Sequence, residues 1–406
     1  MPRRLLGGAM DTQLPTLRLK PKADAKRIRH GFPWVYGDDI VLDRRSRNVV
    51  PSALALLEDS ERNPLALVTA NPGTRIVARV LDLNPEAQID ATWVQAKIAQ
   101  AFALRSRLFD APYYRLIHAE ADGLPGVIVD RFDDTLVIQP NTAWAEANCT
   151  LLANVLAEVT GCTSVFKNAQ GRARVTEGLD DVNGPLLGTP PGKVAVPMNG
   201  ATYMADLIGG QKTGLFYDQR PNHAFAARLA PGSRVLDVFS HVGGFGLAAL
   251  AGGAQSALAV DGSAPALALA EEGADAMGRA DAFGTRRGDA FDVMTELSAA
   301  GETFDLVVAD PPAFAPSKQA LATGLRAYER VAKLAASLVA PGGYLILCSC
   351  SHAAELSKFR AACVRGMGRA GRPGALIYTG FAGPDHPMHP QLAETGYLKA
   401  LAFHCP

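Results

Sequence analysis

The stretch "VLDVFSHVGGFG", residues 235–246, decides the fold class of this chain. An apolar run leads directly into a glycine-rich turn, and a helical segment, "LAALAGG", follows. A strand, a turn and a helix in this order are typical of a nucleotide-binding unit, because Gly243 and Gly244 let the backbone approach a ligand closely. Helix packing is the competing reason for the glycines. The loop is not G-x-G-x-x-G, which disfavours a nicotinamide dehydrogenase and favours a nucleoside without phosphates.

The same alternation continues towards the C-terminus. Strand-like and helical runs follow one another from about residue 230, which predicts an α/β domain with a doubly wound parallel sheet. The last two apolar runs, "GALIYTGFAG" and "GYLKALAFHC", predict two further strands, expected as an edge hairpin. Asn199-Gly200 predicts a hairpin that leads into the domain. Residues 191–406 are therefore predicted to form this domain with its lead-in hairpin.

Two smaller domains are predicted upstream. Residues 89–190 contain a long helical run, the hairpin pattern "GVIVDRFDDTLVIQP", a helix ending near Gly161 and a short strand, which indicates a central α+β domain. Residues 1–88 carry short β-type runs separated by turn residues, which indicates a small all-β domain.

The overall composition is that of an ordinary globular protein. The 406 residues are 48% hydrophobic and 20% charged, with 40 Lys+Arg and 40 Asp+Glu, which excludes a whole-surface nucleic-acid binder. Residues 1–50, however, hold 11 Lys/Arg and 5 Asp/Glu. This excess of positive charge favours local RNA binding, with a solvated basic face as the alternative.

Cysteine and hydrophobic patterns exclude several other classes. Six cysteines in a chain of this length do not form a disulfide framework, and none has zinc-ribbon spacing, so no metal site is predicted. Residues 238–260 carry no charge, but glycines and polar residues interrupt them, which disfavours a membrane span. A cytoplasmic protein without membrane contact is expected.

Acidic residues follow two of the predicted strands. Asp261 ends the strand after the glycine turn, where a carboxylate can accept hydrogen bonds from both ribose hydroxyls. The alternative is an N-terminal cap of the next helix, a role that Ser263 could fill instead. Asp289 follows the expected third strand and could contact an adenine amino group or cap a helix.

The segment "VVADPPAF", residues 307–314, is more specific. Asp310 ends an apolar strand at the edge where open α/β sheets bind ligands. Pro311 and Pro312 stiffen the following turn, and Phe314 offers a ring that can stack on a planar base. A simple strand-ending turn is the alternative.

Two cysteines lie near the end of the next strand, in "LILCSCSH", residues 345–352. Side chains alternate along a strand, so Cys348 and Cys350 share a face, and Cys350 lies further out. We expect Cys348 to be buried and Cys350 to reach the cleft, where a thiolate can attack carbon 6 of a pyrimidine and so activate carbon 5 for methylation. A helix expected to begin near Cys350 would lower the pKa of its thiol.

These motifs together resemble the RlmI-like family of PUA-domain-containing large-subunit rRNA cytosine-carbon-5 methyltransferases. The resemblance also includes "KRIRHGFPWVYGDDI" (26–40), "DGLPGVIVDRF" (122–132) and "QKTGLFYDQR" (211–220). It implies an N-terminal PUA domain, a central EEHEE-type α+β domain and a C-terminal class I methyltransferase domain that binds S-adenosyl-L-methionine. It also implies ribosomal RNA, naked or partly assembled, as the partner, and leaves a homodimer open.

The resemblance further implies a role for individual residues. Asp310 and Cys350 would be catalytic, and Asp310, Pro311, Pro312 and Phe314 would meet the target base. The implied cofactor-binding residues are Asp218, Gln219, Arg220, Phe239, Ser240, Gly243, Gly244, Asp261, Asp289 and Asp310. Many cytosine methyltransferases have a second cysteine where this chain has Ala313, so the base that removes the carbon-5 proton stays unassigned. A guanine-directed methyltransferase and a non-catalytic ribosome-assembly factor are the remaining alternatives.

Overall fold

The computed structural model describes residues 14–210 and 214–406. Part of the basic N-terminal segment, including Arg3 and Arg4, and the first three residues of the "QKTGLFYDQR" motif lie outside the described residues.

The first sheet is a small five-stranded unit with the spatial order β1-β3-β4-β5-β2. Its strands are β1 (Thr16–Arg18), β2 (Trp34–Tyr36), β3 (Leu54–Glu58), β4 (Pro64–Ala70) and β5 (Ile76–Asp82). Two short helices that the sequence did not predict, α1 (Ala25–Arg29) and α2 (Arg44–Arg47), are capped by Asp24 and Asp43. The β-rich character predicted for this segment is confirmed.

The second sheet has the order β10-β9-β8-β7-β6. Its strands are β6 (Tyr113–His118), β7 (Val127–Phe132), β8 (Thr135–Pro140), β9 (Ser164–Lys167) and β10 (Gly184–Leu187). Its helices are α3 (Ala91–Leu108), α4 (Ala143–Ala147), α5 (Cys149–Thr160) and α6 (Arg172–Glu177). Gly161 ends α5 in the left-handed conformation, as predicted.

A two-stranded hairpin, β11 (Lys193–Met198) and β12 (Ala201–Asp206), leads into the last unit. Asn199 and Gly200 both have positive φ angles, 54° and 76°, as a two-residue hairpin turn of this kind requires. The predicted hairpin is therefore confirmed.

The last sheet has seven strands in the order β15-β14-β13-β16-β17-β19-β18. Its strands are β13 (Arg234–Val238), β14 (Ser256–Asp261), β15 (Phe283–Arg287), β16 (Phe304–Ala309), β17 (Val339–Ser349), β18 (Ala375–Gly380) and β19 (Lys399–Cys405). Its helices are α7 (Arg220–Leu229), α8 (Gly244–Ala251), α9 (Ala264–Ala276), α10 (Ala290–Ala299), α11 (Leu321–Ser337) and α12 (Leu356–Arg369). Strands β13 to β17 are parallel, so the doubly wound fold is confirmed.

The tail forms the two predicted strands as an antiparallel pair at one edge of the sheet. Strand β19 lies between β17 and β18 and is antiparallel to both, so only β18 is at the edge. The two strands are joined by the long segment 381–398, not by a tight turn. The sequence could not predict which of the two strands lies at the edge, because β19 is apolar along its length and fits an interior position of the sheet as well as an edge.

Segment 381–398 contacts the other two units. Leu392 is buried in the core of the first unit, and the Gln391 side chain donates a hydrogen bond to the His30 carbonyl (3.3 Å). Asp385 accepts a hydrogen bond from the Arg115 backbone of the second unit (3.1 Å). The three predicted units are thus packed against one another, while the boundaries at 88/89 and 190/191 remain predictions. Within the described ranges, every helix is too short or too polar to cross a bilayer.

Candidate active site

A cavity of about 570 Å³ opens at the carboxyl edge of the parallel strands. The ends of β13, β14, β16 and β17 contribute to its wall, together with the segments before α7 and before β19. Its lining includes Phe216, Asp218, Gln219, Phe239, His241, Asp261, Gly262, Ser263, Asp310, Pro311, Pro312, Ala313, Cys350, Tyr397 and Leu398. Its volume is typical of a site for a nucleoside-sized ligand.

Phe239 and His241, in the glycine turn, line one wall of the cavity. Phe239 and His241 have positive φ angles of 62° and 49°. Residues other than glycine rarely adopt this strained backbone geometry, and it is often found at binding sites. Gly243 has a φ of 79° at the start of α8. A Cβ on Gly244 would lie 2.8 Å from the His223 ring, so packing, and not only ligand approach, requires this glycine.

Asp237, which the sequence analysis did not single out, holds this turn in place. It is fully buried, and its Oδ2 accepts hydrogen bonds from the backbone of Phe245 (3.1 Å) and Gly246 (2.8 Å) in the first turn of α8. Burial raises its pKa to about 7, despite these two hydrogen bonds. A buried acid within an apolar strand was the signal that could have identified it.

Asp261 lies at the cavity wall, where the sequence predicted it. Its two carboxylate oxygens accept hydrogen bonds from the backbone of His241 (2.9 Å) and Ser263 (2.8 Å). Ser263 itself caps α9, so the cap that was the alternative role for Asp261 is supplied by its neighbour. Asp261 therefore links the glycine turn to the end of β14 and faces the cavity.

Asp310 is oriented by a chain of buried amides. The Gln219 side-chain amide donates to Asp310 Oδ2 (2.8 Å), and the Asn222 amide donates to the side-chain Oε1 of Gln219 (2.6 Å). Tyr378 in turn donates to Asn222 Oδ1 (3.2 Å). Gln219 and Asn222 are both buried, so the orientation of the Asp310 carboxylate is set by the protein interior.

Cys348 and Cys350 differ in exposure, as predicted. Cys348 is buried, and burial raises the pKa of its thiol well above the ordinary value. Cys350 follows the last residue of the strand and lines the cavity, with its Sγ 4.0 Å from the Pro311 carbonyl oxygen. The turn that carries Cys350 is held by Ser349 and Ser351, which both hydrogen-bond to the Tyr328 hydroxyl (2.9 and 2.8 Å).

Asp218 also faces the cavity. Its Oδ2 accepts a hydrogen bond from the Tyr397 hydroxyl (2.6 Å), and its buried Oδ1 has no partner within the described ranges. Tyr397 and Leu398 come from the long segment before β19, whose position could not be predicted from the sequence.

Several predicted site residues do not line the cavity. Ser240, Gly243 and Gly244 form the turn behind its wall. Arg220 points away, since its guanidinium donates to the Tyr113 carbonyl and lies over the Phe109 ring of the central unit. Asp289 is exposed and caps α10. Phe314 packs against Phe239, Phe291 and Tyr328.

Comparisons with known proteins agree with this architecture. A family model described as S-adenosylmethionine-dependent methyltransferase matches residues 120–360, and a PUA-like domain model matches residues 17–83. A solved SAM-dependent methyltransferase fold from Streptococcus mutans superposes with a TM-score of 0.80 at 19% identity, covering 96% of this chain and 99% of that one. The structure of SMU.776 in complex with SAH gives a TM-score of 0.81 at 19% identity, with the same coverage.

Curated relatives are more similar in sequence. The ribosomal RNA large subunit methyltransferase I of Cronobacter sakazakii is 32% identical over 389 residues, which cover 94% of this chain and 98% of the relative. The protein of the same name from Aeromonas salmonicida is 33% identical over 386 residues, which cover 94% of this chain and 97% of the relative. This chain therefore belongs to the ribosomal RNA large subunit methyltransferase I family of S-adenosylmethionine-dependent methyltransferases.

Proposed function

We propose that this protein methylates carbon 5 of a cytosine in large-subunit ribosomal RNA, through a temporary covalent bond between Cys350 and carbon 6 of the base. The observation that carries the proposal is that Cys350 and Asp310 come from the ends of neighbouring strands and line one cavity. The names of the relatives support ribosomal RNA as the substrate class.

The cavity residues fit S-adenosylmethionine. Asp261 offers carboxylate oxygens where ribose hydroxyls need acceptors, and the buried Oδ1 of Asp218 offers an unused acceptor for an amino group. Phe239 adds an apolar face to the lining of the same cavity. We propose that these three residues hold the cofactor, which supplies the methyl group when bound.

Cys350 would act as the nucleophile. Carbon 5 of cytosine is too poor in electrons to accept a methyl group unaided, and addition of a thiolate to carbon 6 removes this barrier. The S–C6 bond forms as the C5–C6 double bond opens, and its electron pair becomes available at carbon 5. After methylation, loss of the carbon-5 proton restores the double bond and breaks the S–C6 bond, which regenerates the thiolate.

Asp310 would hold the opposite edge of the base. Its carboxylate is oriented by Gln219 and adjoins the Pro311 carbonyl that contacts Cys350. In its protonated form, a carboxyl group there can donate a hydrogen bond to the ring nitrogen of cytosine, while its other oxygen accepts one from the amino group. The donated proton stabilises the negative charge that develops on the ring when the thiolate adds. The base that removes the carbon-5 proton is not assigned.

The first unit would contribute RNA affinity. Its described part carries basic residues in both short helices, including Lys26, Arg27, Arg44 and Arg45. Binding to phosphates would make RNA affinity fall as salt concentration rises. This role agrees with the PUA-like domain model that matches residues 17–83.

A covalent trap tests the proposed reaction directly. On RNA with 5-fluorocytidine at the target, the wild-type protein and Cys348→Ala should form an adduct that survives denaturing electrophoresis, because fluorine cannot leave as a proton does. Cys350→Ala should form none and should lose methylation entirely, while its cofactor affinity stays unchanged. An adduct that persists in Cys350→Ala and disappears in Cys348→Ala would reverse the assignment of the two cysteines.

Mass spectrometry of ribosomal nucleosides identifies the modified base. RNA from cells that lack the gene should lose 5-methylcytidine at one large-subunit position, and the wild-type gene should restore it while Cys350→Ala should not. Loss of a methylguanosine would favour the guanine-directed alternative. No change in any methylated nucleoside would favour a non-catalytic assembly factor.

A further inference from the structure

Lys399 is a buried lysine directly beneath the turn that carries Cys350. It is the first residue of β19 and is 4% exposed, and its backbone pairs with Ser349 at the end of β17. Its Nζ donates hydrogen bonds to the carbonyl oxygens of Ser351 (2.8 Å) and Ala354 (2.9 Å). The side chain thus spans the residues that follow Cys350.

The ammonium group of Lys399 is not paired with a carboxylate. Across residues 14–210 and 214–406 no ion pair involves Lys399, so its hydrogen-bond partners are two neutral carbonyl groups. A buried cation without an anion is costly and is rarely retained for stability alone. Burial lowers the Lys399 pKa to about 8, and the nearby Cys350 opposes this shift, since a thiolate favours the charged lysine.

Several described groups near Cys350 are acids whose ionisation a charged Cys350 opposes. Tyr328 faces it from α11, Tyr397 from the segment before β19, and Cys348 from its own strand, and for each of them a charged Cys350 raises the pKa. Asp310 shares the cavity from the end of β16, and His352 is exposed on the turn itself. Lys399 differs from the three acids Tyr328, Tyr397 and Cys348, because it carries a positive charge at neutral pH.

The helix that was expected to begin near Cys350 and lower its thiol pKa begins later in the chain. The first residue of α12 is Leu356, so residues 351–355 separate Cys350 from its N-terminus. The favourable effect of a helix N-terminus on an anion is confined to its first turn. Lys399 offers a source of positive charge that does not depend on this helix.

We propose that Lys399 is the positioning residue of the Cys350 nucleophile, holding its turn through two carbonyl groups and keeping a positive charge beside the thiolate. This inference rests on the proposed function. Lys399 keeps its proton throughout: the Cys350 proton goes to solvent before attack, and the thiolate returns when the S–C6 bond breaks. Lys399 therefore stabilises the Cys350 thiolate before attack and after its release, without exchanging a proton itself.

Alkylation of Cys350 by iodoacetamide, followed across pH in the full-length protein, measures the thiol pKa. The other five cysteines are buried, so Cys350 should react first, and Cys350→Ser identifies its signal. In the wild type we expect a pKa below the ordinary thiol value of about 8.5. A wild-type pKa at or above that value would overturn the proposal, whatever the variants do.

Lys399→Met removes the charge with little change in length. We expect the Cys350 pKa to rise by about one unit or more, as it does when a neighbouring opposite charge is lost. The methylation rate should fall at least about tenfold near pH 7 and recover partly as pH rises. A residue that merely supports the turn would lower the rate equally at every pH, and that result would also overturn the proposal.

Two further variants complete the test. Lys399→Gln retains a donor for the carbonyl groups but not the charge, so it should resemble Lys399→Met in its pH profile. Lys358→Met is the matched control, because Lys358 is exposed on α12 and pairs with Glu355. It should change neither the Cys350 thiol pKa nor the methylation rate.

The two proposals fail in different ways. If Cys350→Ala still methylates RNA, the proposed reaction is wrong, even where the thiol pKa shifts in Lys399→Met. If Cys350→Ala is inactive and the thiol pKa in Lys399→Met equals that of the wild type, the role of Lys399 is wrong and the proposed reaction stands.

Discussion

Two regions of this protein bury charged side chains, and they do so in opposite ways. At the junction of the central unit with segment 381–398, Arg105 is fully buried and makes a bidentate pair with Asp122 (2.6 and 2.8 Å). Its Nε and Nη2 also donate to the carbonyl oxygens of Arg115 and Asp385. Near the candidate active-site cavity, Lys399 pairs with no carboxylate in the described ranges, and the buried Oδ1 of Asp218, which lines the cavity, has no partner there.

This difference distinguishes charges that stabilise the packing of the domains from charges that serve ligand binding or a reaction. A network in which every buried charge is paired fixes how domains dock, and it leaves nothing for a ligand to satisfy. A buried charge or acceptor that the protein leaves incompletely paired costs stability and is retained where a ligand or a reaction intermediate completes it. Four substitutions, taken in order of decreasing effect, test this contrast.

Arg105→Met should have the largest effect on stability. It leaves the Asp122 carboxylate buried beside an apolar side chain, which typically lowers the free energy of unfolding by about 3–5 kcal/mol. Denaturant unfolding measures this loss, with Arg107→Met, an exposed position on the same helix, as the control. A loss no larger than that of Arg107→Met would show that the junction network does not contribute to stability.

Asp237→Asn should change how stability depends on pH. Because the folded-state pKa of Asp237 is raised from 3.8 to about 7, the folded wild type holds a proton that the unfolded chain releases. Its stability should therefore fall as pH rises from about 4 to about 7, by on the order of 2–4 kcal/mol. Asparagine keeps an acceptor for the α8 amides without the titration, so unfolding of Asp237→Asn at several pH values should lack this slope. The same slope in both proteins would contradict the raised pKa.

Asp261→Ala should weaken S-adenosylmethionine binding about tenfold or more, since hydrogen bonds to a charged group contribute about 1.5–3 kcal/mol. Titration calorimetry measures the affinity, and Asp275→Ala, at an exposed position of α9, is the control. Unchanged affinity in a folded Asp261→Ala protein would remove this residue from the cofactor site.

Cys348→Ala should have the smallest effect. It removes one buried sulfur atom from the face of β17 that packs against α7 and α8, so the free energy of unfolding should fall by about 1 kcal/mol. Methylation should continue at close to the wild-type rate. A large loss of activity in a stable Cys348→Ala protein would mean that both cysteines of β17 serve the reaction.

Much of the site could be predicted because its residues follow strands. Asp261, Asp310 and Cys350 each come at the end of an apolar run, and the carboxyl ends of parallel strands meet at one edge of the sheet. Arg220 belongs to the same motif as Asp218 and Gln219, yet its side chain turns to the central unit. A motif predicts where a backbone segment runs, but the direction of each side chain depends on what packs around it.

The sequence alone determined the order of the units, the parallel sheet and the residues at the ends of its strands, because these follow from local hydrophobic periodicity and turn chemistry. Only the tertiary structure decided where the tail goes. The insertion of β19 beside β17 places Lys399 under the Cys350 turn and Tyr397 against Asp218. Those contacts join residues far apart in the chain, and strand order is set by the packing of the whole sheet, which no local pattern encodes.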